Sequence, residues 1–311
     1  MIDTAMSDEP MVKILHEPDR YATDEKSLQL AMEKAKARVD EAFHAALALD
    51  GPSYNAAEST SDLFAAVPAL PENAAGGSRE MRLIDAIHDG LKESLALWPE
   101  LVYMGQDIGP YGGVFKATEG LADLFGSNRV RNTPLCESAI VGASLGWSIA
   151  GGKAMMEMQF SDFVTTGFNQ IVNNLAKLHW RWGQAVDVVV RMPTGAGVAA
   201  GPFHSQSTEA WFTHVPGLKV VYPAFPGEAK GLLMASFNEP NPVLFFEHKA
   251  MYRTVREEVK EGPQFIELGK ADVVHSGTDL TVITYGMGIH WTLDLIEEEG
   301  LTGRLDLINL R

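Results

Sequence analysis

Three segments of this 311-residue chain combine residue types that could bind a ligand or move a proton. Segment 132–137 (Asn-Thr-Pro-Leu-Cys-Glu) places a carboxylate after a proline turn, where an apolar, glycine-rich helix is expected to begin. Segment 159–163 (Gln-Phe-Ser-Asp-Phe) joins an amide and an acid to two aromatic rings. Segment 195–207 contains three glycines, whose backbone freedom suits a close approach to a ligand, followed by His204. An acid and a histidine on such segments are the groups used in general acid–base chemistry.

Each segment also has an ordinary structural explanation. Acidic side chains favour helix N-termini, so Glu137 taken alone is more often a helix cap than a catalytic group. Segment 159–163 taken alone predicts a helix that is capped by Ser161 and followed by core aromatic residues. His204 stands among polar residues, which disfavours a buried structural histidine but leaves a surface histidine and a functional one equally supported.

The glycines of segment 195–201 imitate a dinucleotide-binding fingerprint. Their spacing is one residue too long, and Pro202 and His204 interrupt the helix that the fingerprint requires. The sequence contains no CxxC pair, HExxH motif, Walker loop or GxSxG elbow. Cys136, the single cysteine, is expected to be a small core residue rather than a nucleophile.

Composition restricts the classes of partner and compartment. The chain has 41 acidic and 25 basic residues, and this net charge of -16 opposes binding to nucleic acid or to anionic membranes. One cysteine permits no intramolecular disulfide, which fits a reducing compartment. No apolar run reaches the roughly 18 residues of a membrane span, and residues 1–10 lack the features of a signal or transit peptide. A cytoplasmic protein is therefore expected.

The spacing of apolar residues predicts two regions with different secondary structure. A helix with one apolar face is predicted over residues 27–49, and a Pro- and Gly-containing linker over 68–78. From Met81 onward helices alternate with short apolar strands, which predicts an α/β fold whose parallel sheet is covered by helices on both faces. Helices are predicted over 81–97, 137–150, 228–237 and 290–299, and strands over 154–158, 186–191, 219–222, 243–247, 280–285 and 305–310.

From about Met81 to Arg311, the chain contains motifs that resemble those of the beta subunits of pyruvate and branched-chain 2-oxo acid dehydrogenases, in the same order. The matching stretches are Gly105–Ile108, Tyr111–Leu121, Arg129–Glu137, Gln159–Phe163, His204–Ala210, Pro216–Val221, Ala229–Leu233 and Phe246–Arg253. The resemblance implies a thiamine-diphosphate-binding fold.

This resemblance implies three regions. Residues 79–262 would be the pyrimidine-binding domain, and residues 263–311 the start of an incomplete transketolase C-terminal-like α/β domain. Residues 1–78 would be a helical tail and linker. Within them, residues 32–70 resemble the tail of the alpha subunit, so the chain is expected to be a fragment of an alpha–beta fusion.

The family's site residues map onto the three segments. By resemblance, Glu137 would hydrogen-bond N1′ of the cofactor's aminopyrimidine, which favours the tautomer able to deprotonate the reactive thiazolium carbon. Phe163 would pack on the pyrimidine ring, with Leu135 and Gln159 as flanking contacts. His204 would orient the 2-oxo acid and assist acyl transfer to the lipoyl group.

The chain departs from the family pattern at three places. Gln106 stands where the family usually has glutamate, and Asn132 replaces the commoner aspartate, although the branched-chain type also has asparagine. Ser236, Glu239 and Asn241 align with a loop that binds a structural potassium ion, but Glu239 replaces aspartate there.

The Gly-Asp-Gly motif and distant asparagine that hold the diphosphate and Mg²⁺ in this family do not occur in the 311 residues. The resemblance therefore implies that the alpha part binds them, that the complete site forms at an interface, and that this chain alone is inactive. The implied partners are the alpha part, a lipoyl acyltransferase core and a small 2-oxo acid, in a dimer of alpha–beta units.

By resemblance, the residues in these motifs favour branched-chain substrates such as 2-oxoisovalerate over pyruvate. Two alternatives stay open at this point. The chain could belong to another thiamine-diphosphate enzyme of the transketolase-like class, or it could be a non-catalytic half that serves as a scaffold.

Overall fold

The computed structural model of the protein describes residues 24–51, 53 and 55–311, and the chain divides into two compact units. The first unit reaches Ala56, and most of its described part is helix α1 (Glu25–Leu47). The Asp24 carboxylate caps this helix by accepting a hydrogen bond from the Ser27 amide at 2.8 Å. The helix begins two residues before the predicted start, and none of its residues is buried.

The chain after α1 alternates between helices and strands, as predicted. Its helices are α2 (Ala56–Ser61), α3 (Leu83–Leu97), α4 (Leu121–Phe125), α5 (Glu137–Ile149), α6 (Val164–Asn169), α7 (Ala176–Trp182), α8 (Pro226–Asn238), α9 (Met251–Thr254) and α10 (Met287–Glu298). Its strands are β1 (Ser78–Arg82), β2 (Leu101–Gly105), β3 (Val130–Asn132), β4 (Lys153–Glu157), β5 (Val188–Thr194), β6 (Lys219–Val221), β7 (Val243–His248), β8 (Arg256–Lys260), β9 (Asp272–His275), β10 (Gly277–Thr284) and β11 (Gly303–Asn309).

The centre of the second unit is a six-stranded sheet in the order β3-β2-β4-β5-β7-β6, and all its strand pairs are parallel. Every residue of β5 is buried, which requires cover on both faces of the sheet because successive side chains point to opposite faces. Helices α3 and α8 pack against each other, while α5 packs on β4 and α6. The predicted α/β fold with helices on both faces is confirmed.

Two smaller sheets lie outside this core. Strands β10 and β11 pair in parallel, and β9 pairs antiparallel to β11. Strand β1 pairs antiparallel with β8, so Met81 lies on a strand and the prediction that a helix starts there is wrong. Local spacing could not show this, because the partners of Ser78–Arg82 are about 175 residues further along the chain. Met81 packs instead against Ala86 and Val259.

The segment 65–77 has no regular structure, as expected of a linker, yet side-chain amides fix it to the rest of the second unit. The Asn241 amide accepts from the Ala65 N–H at 2.7 Å and donates to the Ala65 carbonyl at 2.9 Å. The Asn73 amide makes the same two-bond contact with the backbone of Phe265, at 2.6 and 3.3 Å. The segment therefore follows a defined path along the domain.

A buried arginine connects three neighbouring strands. Arg191 on β5 makes two hydrogen bonds to the Glu247 carboxylate on β7, at 2.7 and 2.5 Å, and one to Glu157 on β4 at 2.6 Å. The Tyr252 hydroxyl donates to Glu247 at 2.6 Å. Burial raises the pKa of the Glu157 carboxyl, whereas the two carboxylates outweigh the effect of burial on the pKa of Arg191 and raise it. The guanidinium thus stays charged.

The part of the chain that the structure describes contains no helix both long and apolar enough to cross a lipid bilayer.

We predict that Arg191→Met lowers the free energy of unfolding by about 3–5 kcal/mol, because it leaves two buried carboxylates without a cation. Chemical denaturation measures this. The control is Arg256→Met, which removes an exposed ion pair with Glu80 (side chains 52% and 62% exposed) and should cost less than about 1 kcal/mol. Equal losses in the two variants would show that the buried network does not stabilise the sheet.

Candidate functional site

Three loops meet beyond the carboxyl ends of β4, β5 and β7. Ligand sites of parallel sheets form at this edge. Strand β4 leads into segment 159–163, β5 into the loop 195–206, and β7 into Lys249. Two of the three segments singled out in the sequence therefore start from adjacent strands, whose ends the Arg191 network joins.

Hydrogen bonds close the base of the loop 195–206. The Gly195 N–H donates to the Gln206 carbonyl at 2.9 Å, and the Thr194 hydroxyl donates to the same carbonyl at 3.1 Å. The Ser161 hydroxyl donates to the Thr194 hydroxyl at 2.9 Å. The prediction that Ser161 caps a helix is wrong, because it lies in a short 3₁₀ turn and its side chain contacts the loop base.

Asp162 holds the backbone that follows the histidine. Its Oδ1 accepts hydrogen bonds from the Ser205 and Gln206 amides, both at 3.1 Å, and the residue is 7% exposed. A carboxylate that accepts hydrogen bonds from two backbone amides holds them more strongly than a neutral acceptor would. The position of His204 is therefore set from the residues immediately after it.

The His204 ring lies edge-on against two aromatic rings of segment 159–163. Its centroid is 4.7 Å from that of Phe160 and 5.5 Å from that of Phe163. Phe160 in turn lies 5.5 Å from Phe115. These edge-to-face contacts orient the imidazole while leaving it half-buried. The structure thus brings together two predicted site residues, Phe163 and His204, from different loops.

Glu137 is the first residue of α5, as predicted. Its side chain is half-buried, and its carboxylate makes no hydrogen bond with the residues that the structure describes. Helix α5 packs on α6, which starts directly after Phe163, and a Cβ placed on Gly167 of α6 would lie 3.9 Å from the Glu137 carbonyl. Glu137 and Phe163 therefore lie at the N-terminal ends of two helices that pack against each other.

The two flanking residues differ in their surroundings. The Gln159 amide donates to the Asp107 carboxylate at 2.9 Å, which anchors it to the loop after β2. Asp107 has a positive φ of 60°, a conformation that aspartate tolerates better than most residues. Leu135 is 70% exposed. Its contact with the cofactor stays a prediction.

Two basic side chains behind the cluster have lowered pKa values. Burial lowers the pKa of the Lys249 ammonium to about 8, and the nearby Asp162 carboxylate partly offsets that effect. Burial, followed by the charge of Lys249, lowers the pKa of His248 to about 4, so its imidazole is neutral at neutral pH. A Cβ on Gly195 would lie 2.3 Å from the His248 ring, so this loop start requires glycine.

Comparison with known proteins identifies the family. The family described as "Transketolase, pyrimidine binding domain" matches residues 79–255. The "2-oxoisovalerate dehydrogenase subunit beta" of Bacillus subtilis strain 168 is 44% identical over 230 residues, which are 72% of this chain and 70% of that protein. The chain belongs to the beta subunits of 2-oxo acid dehydrogenases. The "Pyruvate dehydrogenase E1 component subunit beta" of the same organism is 41% identical over 237 residues, 75% of this chain and 72% of the relative.

A solved structure supports the fold of this beta-subunit chain. The protein titled "Split gene transketolase, inactive beta4 tetramer" superposes with a TM-score of 0.56 at 19% identity, covering 74% of this chain and 71% of that one. At this identity the likeness shows the fold alone.

The beta-subunit residues aligned with a potassium loop make contacts within the chain. The Ser236 hydroxyl donates to the Leu232 carbonyl at 2.7 Å. The Glu239 carboxylate pairs with the Lys219 ammonium at 2.6 Å and also accepts from the Asn241 amide. These side chains already have partners, one of them a cation, so they do not form a set of free oxygen ligands. Potassium binding stays a prediction.

Sequence reasoning missed several residues that support the beta-subunit site. Glu157, Arg191 and Glu247 are charged residues at the ends of apolar strands, and that pattern was a usable signal. Asp162 stands in segment 159–163, but its spacing does not indicate that it accepts hydrogen bonds from the amides of another loop. Lys249 lies within a matched motif, but its burial could not be inferred from the residues around it.

We predict different effects for two alanine substitutions in the loop. Gly195 and Gly201 both have positive φ, 79° and 76°, so alanine is strained at either position by about 1–3 kcal/mol. Gly201→Ala meets no atom within 4 Å, whereas Gly195→Ala collides with His248 and should lower the free energy of unfolding further. Denaturation curves that coincide for the two variants would contradict the close packing of the loop start.

We also predict a pH dependence of stability from His248. The unfolded chain protonates this residue below pH 6.5, whereas the folded protein protonates it only near pH 4. The contribution of His248 to stability is therefore fully present above pH 6.5 and is lost as the pH falls towards 4. His248→Asn, which keeps an acceptor for the Ala250 amide, should lose this dependence, as measured by the difference in unfolding free energy from the wild type. A constant difference across that range would refute it.

Proposed function

We propose that the chain is the beta part of an enzyme that decarboxylates a branched-chain 2-oxo acid and transfers the acyl group to a lipoyl group. Two observations carry this proposal in a chain of the beta-subunit family. The Glu137 carboxylate lies at a helix start without a hydrogen-bond partner among the described residues, and Phe163 and His204 form an ordered cluster. A carboxylate, an aromatic ring and an imidazole are the groups that this chemistry needs.

The residues present fit the pyrimidine end of thiamine diphosphate. That cofactor, when bound, supplies the carbon nucleophile and the electron sink for decarboxylation. The Glu137 carboxylate, which has no hydrogen-bond partner in the described part of the chain, would share a proton with the pyrimidine N1′. Phe163 would pack on the ring, with Leu135 and Gln159 beside it.

His204 would act on the substrate side of the site. Two aromatic contacts orient its ring, and the Asp162 hydrogen bonds hold the backbone after it. The loop that bears it is largely exposed between residues 196 and 203, which leaves access for a 2-oxo acid and for a lipoyl group. We assign His204 the roles of orienting the 2-oxo acid and assisting acyl transfer.

The alpha part would complete the site. Among the described residues no group of three or more His, Cys, Asp or Glu side chains could hold a metal, and the sequence lacks the Gly-Asp-Gly motif. We therefore propose that the alpha part binds Mg²⁺ and the diphosphate, and that two alpha–beta units assemble with a lipoyl acyltransferase core. The acidic composition and single cysteine support a cytoplasmic location.

We retain the division into three regions as part of this proposal. Residues 79–262 would form the pyrimidine-binding domain and residues 263–311 the beginning of the C-terminal domain. The family match over 79–255 and the separate sheet of β9 to β11 support it.

The relatives support a branched-chain substrate. Proteins named for 2-oxoisovalerate are 44% identical to the chain, and a protein named for pyruvate is 41% identical. We propose 2-oxoisovalerate as the preferred 2-oxo acid. The rate of its decarboxylation relative to that of pyruvate, measured with the alpha part present, tests this preference.

We predict that Glu137→Gln lowers kcat for carbon dioxide release from 2-oxoisovalerate by about 10²–10⁴-fold in the assembly with the alpha part, because glutamine cannot share a proton with the pyrimidine. The fold should be unchanged, as circular dichroism can show. The control is Glu258→Gln, an exposed position on β8 that should keep full activity.

Three outcomes would contradict the proposal. Full activity of Glu137→Gln would remove the carboxylate from the mechanism. A requirement for a sugar acceptor would indicate a transketolase-like enzyme. A failure of the chain to increase the affinity of the alpha part for thiamine diphosphate would indicate a scaffold.

A further inference from the structure

Two buried polar atoms beside the His204 cluster have no hydrogen-bond partner among the described residues. They are the Lys249 ammonium nitrogen and the Oδ2 atom of the Asp162 carboxylate. Lys249 is 3% exposed and Asp162 is 7% exposed. Leaving a charged group buried and unpaired is strongly unfavourable, so such atoms require a functional or structural reason.

The other deeply buried lysine of the domain shows the usual solution. The Lys230 ammonium contacts the Asp89 carboxylate at 2.7 Å and donates to the Lys260 carbonyl at 2.9 Å. Its charge is paired directly. Lys249 differs because no acceptor in the described chain lies within bonding distance of its nitrogen.

Lys249 is one aromatic ring away from the histidine. Its nitrogen lies 5.4 Å from the centroid of the Phe160 ring, and the same ring lies 4.7 Å from that of His204. A cation at this distance is attracted to the ring. The ammonium therefore belongs to the environment of the site, although it does not contact the imidazole.

Asp162 provides the complementary charge. Its Oδ1 accepts hydrogen bonds from the Ser205 and Gln206 amides, whereas its Oδ2 has no partner among the residues that the structure describes. The carboxylate and the ammonium of Lys249 attract each other, and yet they form no direct ion pair within 4.0 Å. Two polar groups that attract each other without direct contact can be bridged by an ordered water molecule.

We propose that Lys249 is a positioning residue whose ammonium, through a bridging water, neutralises the Asp162 carboxylate and so fixes the backbone that follows His204. Without the cation, burial would favour the neutral, protonated form of Asp162. A neutral carboxyl holds the two amides less strongly than a carboxylate does. The catalytic consequence rests on the proposed function of His204, whereas the charge pair itself is independent of the reaction.

Hydrogen exchange in the full chain tests the charge pair without any activity. In Lys249→Met the Ser205 and Gln206 amides should exchange at least about tenfold faster, because their acceptor is no longer held. Lys249→Arg should keep most of the protection. Lys230→Met is the matched control, since it removes the other buried lysine and should lower stability without selectively exposing these two amides.

Unchanged exchange of the two amides in Lys249→Met would overturn the proposal. If that variant fails to fold, Asp162→Asn gives a second test. Asparagine keeps the acceptor atom but removes the charge, so the same two amides should become less protected while the sheet amides are unaffected. Full protection in Asp162→Asn would equally overturn it.

A double-mutant cycle in the assembly with the alpha part tests the link to catalysis. Lys249→Met should lower kcat about 10- to 100-fold by displacing His204, with little change in the KM for thiamine diphosphate. In the Asp162→Asn background the same change should have almost no further effect, because the charge that it neutralises is gone. Equal losses in both backgrounds would show that Lys249 acts independently of Asp162.

The two proposals fail in different ways. If the wild-type assembly releases no carbon dioxide from any 2-oxo acid, the proposed function is wrong, and the exchange experiment still decides whether Lys249 holds the loop. If the assembly is active but neither hydrogen exchange nor the double-mutant cycle shows coupling between Lys249 and Asp162, the positioning role alone is wrong.

Discussion

The Arg191 guanidinium, shared between the carboxylates of Glu157 and Glu247, is the interaction on which the arrangement of the site depends. It joins three adjacent parallel strands near their carboxyl ends, where the functional loops begin. One cation between two acids leaves a net negative charge in the core, and the Tyr252 hydroxyl donates a further hydrogen bond to it. Such a network tolerates little displacement, because each partner that leaves exposes a buried charge to an apolar surrounding.

The loops above this network are held by polar atoms rather than by apolar packing. The base of the loop 195–206 is closed by backbone and hydroxyl groups, and Asp162 holds the two amides after His204. The aromatic rings of Phe160 and Phe163 then determine the orientation of the imidazole. Residues 196–203, at the tip of the loop, stay exposed between these two fixed ends.

Local patterns in the sequence were sufficient to predict most of the central sheet and the helix that begins at Glu137. They were sufficient because buried parallel strands are nearly continuous apolar runs, and because proline marks the helix start. The pairing of β1 with β8 could not be predicted, since it depends on residues far apart in the chain. The contacts of Lys249 and the role of Ser161 also depend on which loops the fold brings together, and no spacing rule contains that information.

The amide contacts of segment 65–77 bear on where this domain can be cut. The family match begins at residue 79. Upstream of it, the Ala65 backbone is hydrogen-bonded to the Asn241 side chain, and the Asn73 side chain to the Phe265 backbone. A shortened protein that starts at the family boundary would lose these bonds and expose the surface that the segment covers. Expression of the domain by itself therefore calls for a start upstream of Ala65, and the segment is better regarded as the domain's own outer layer than as a spacer.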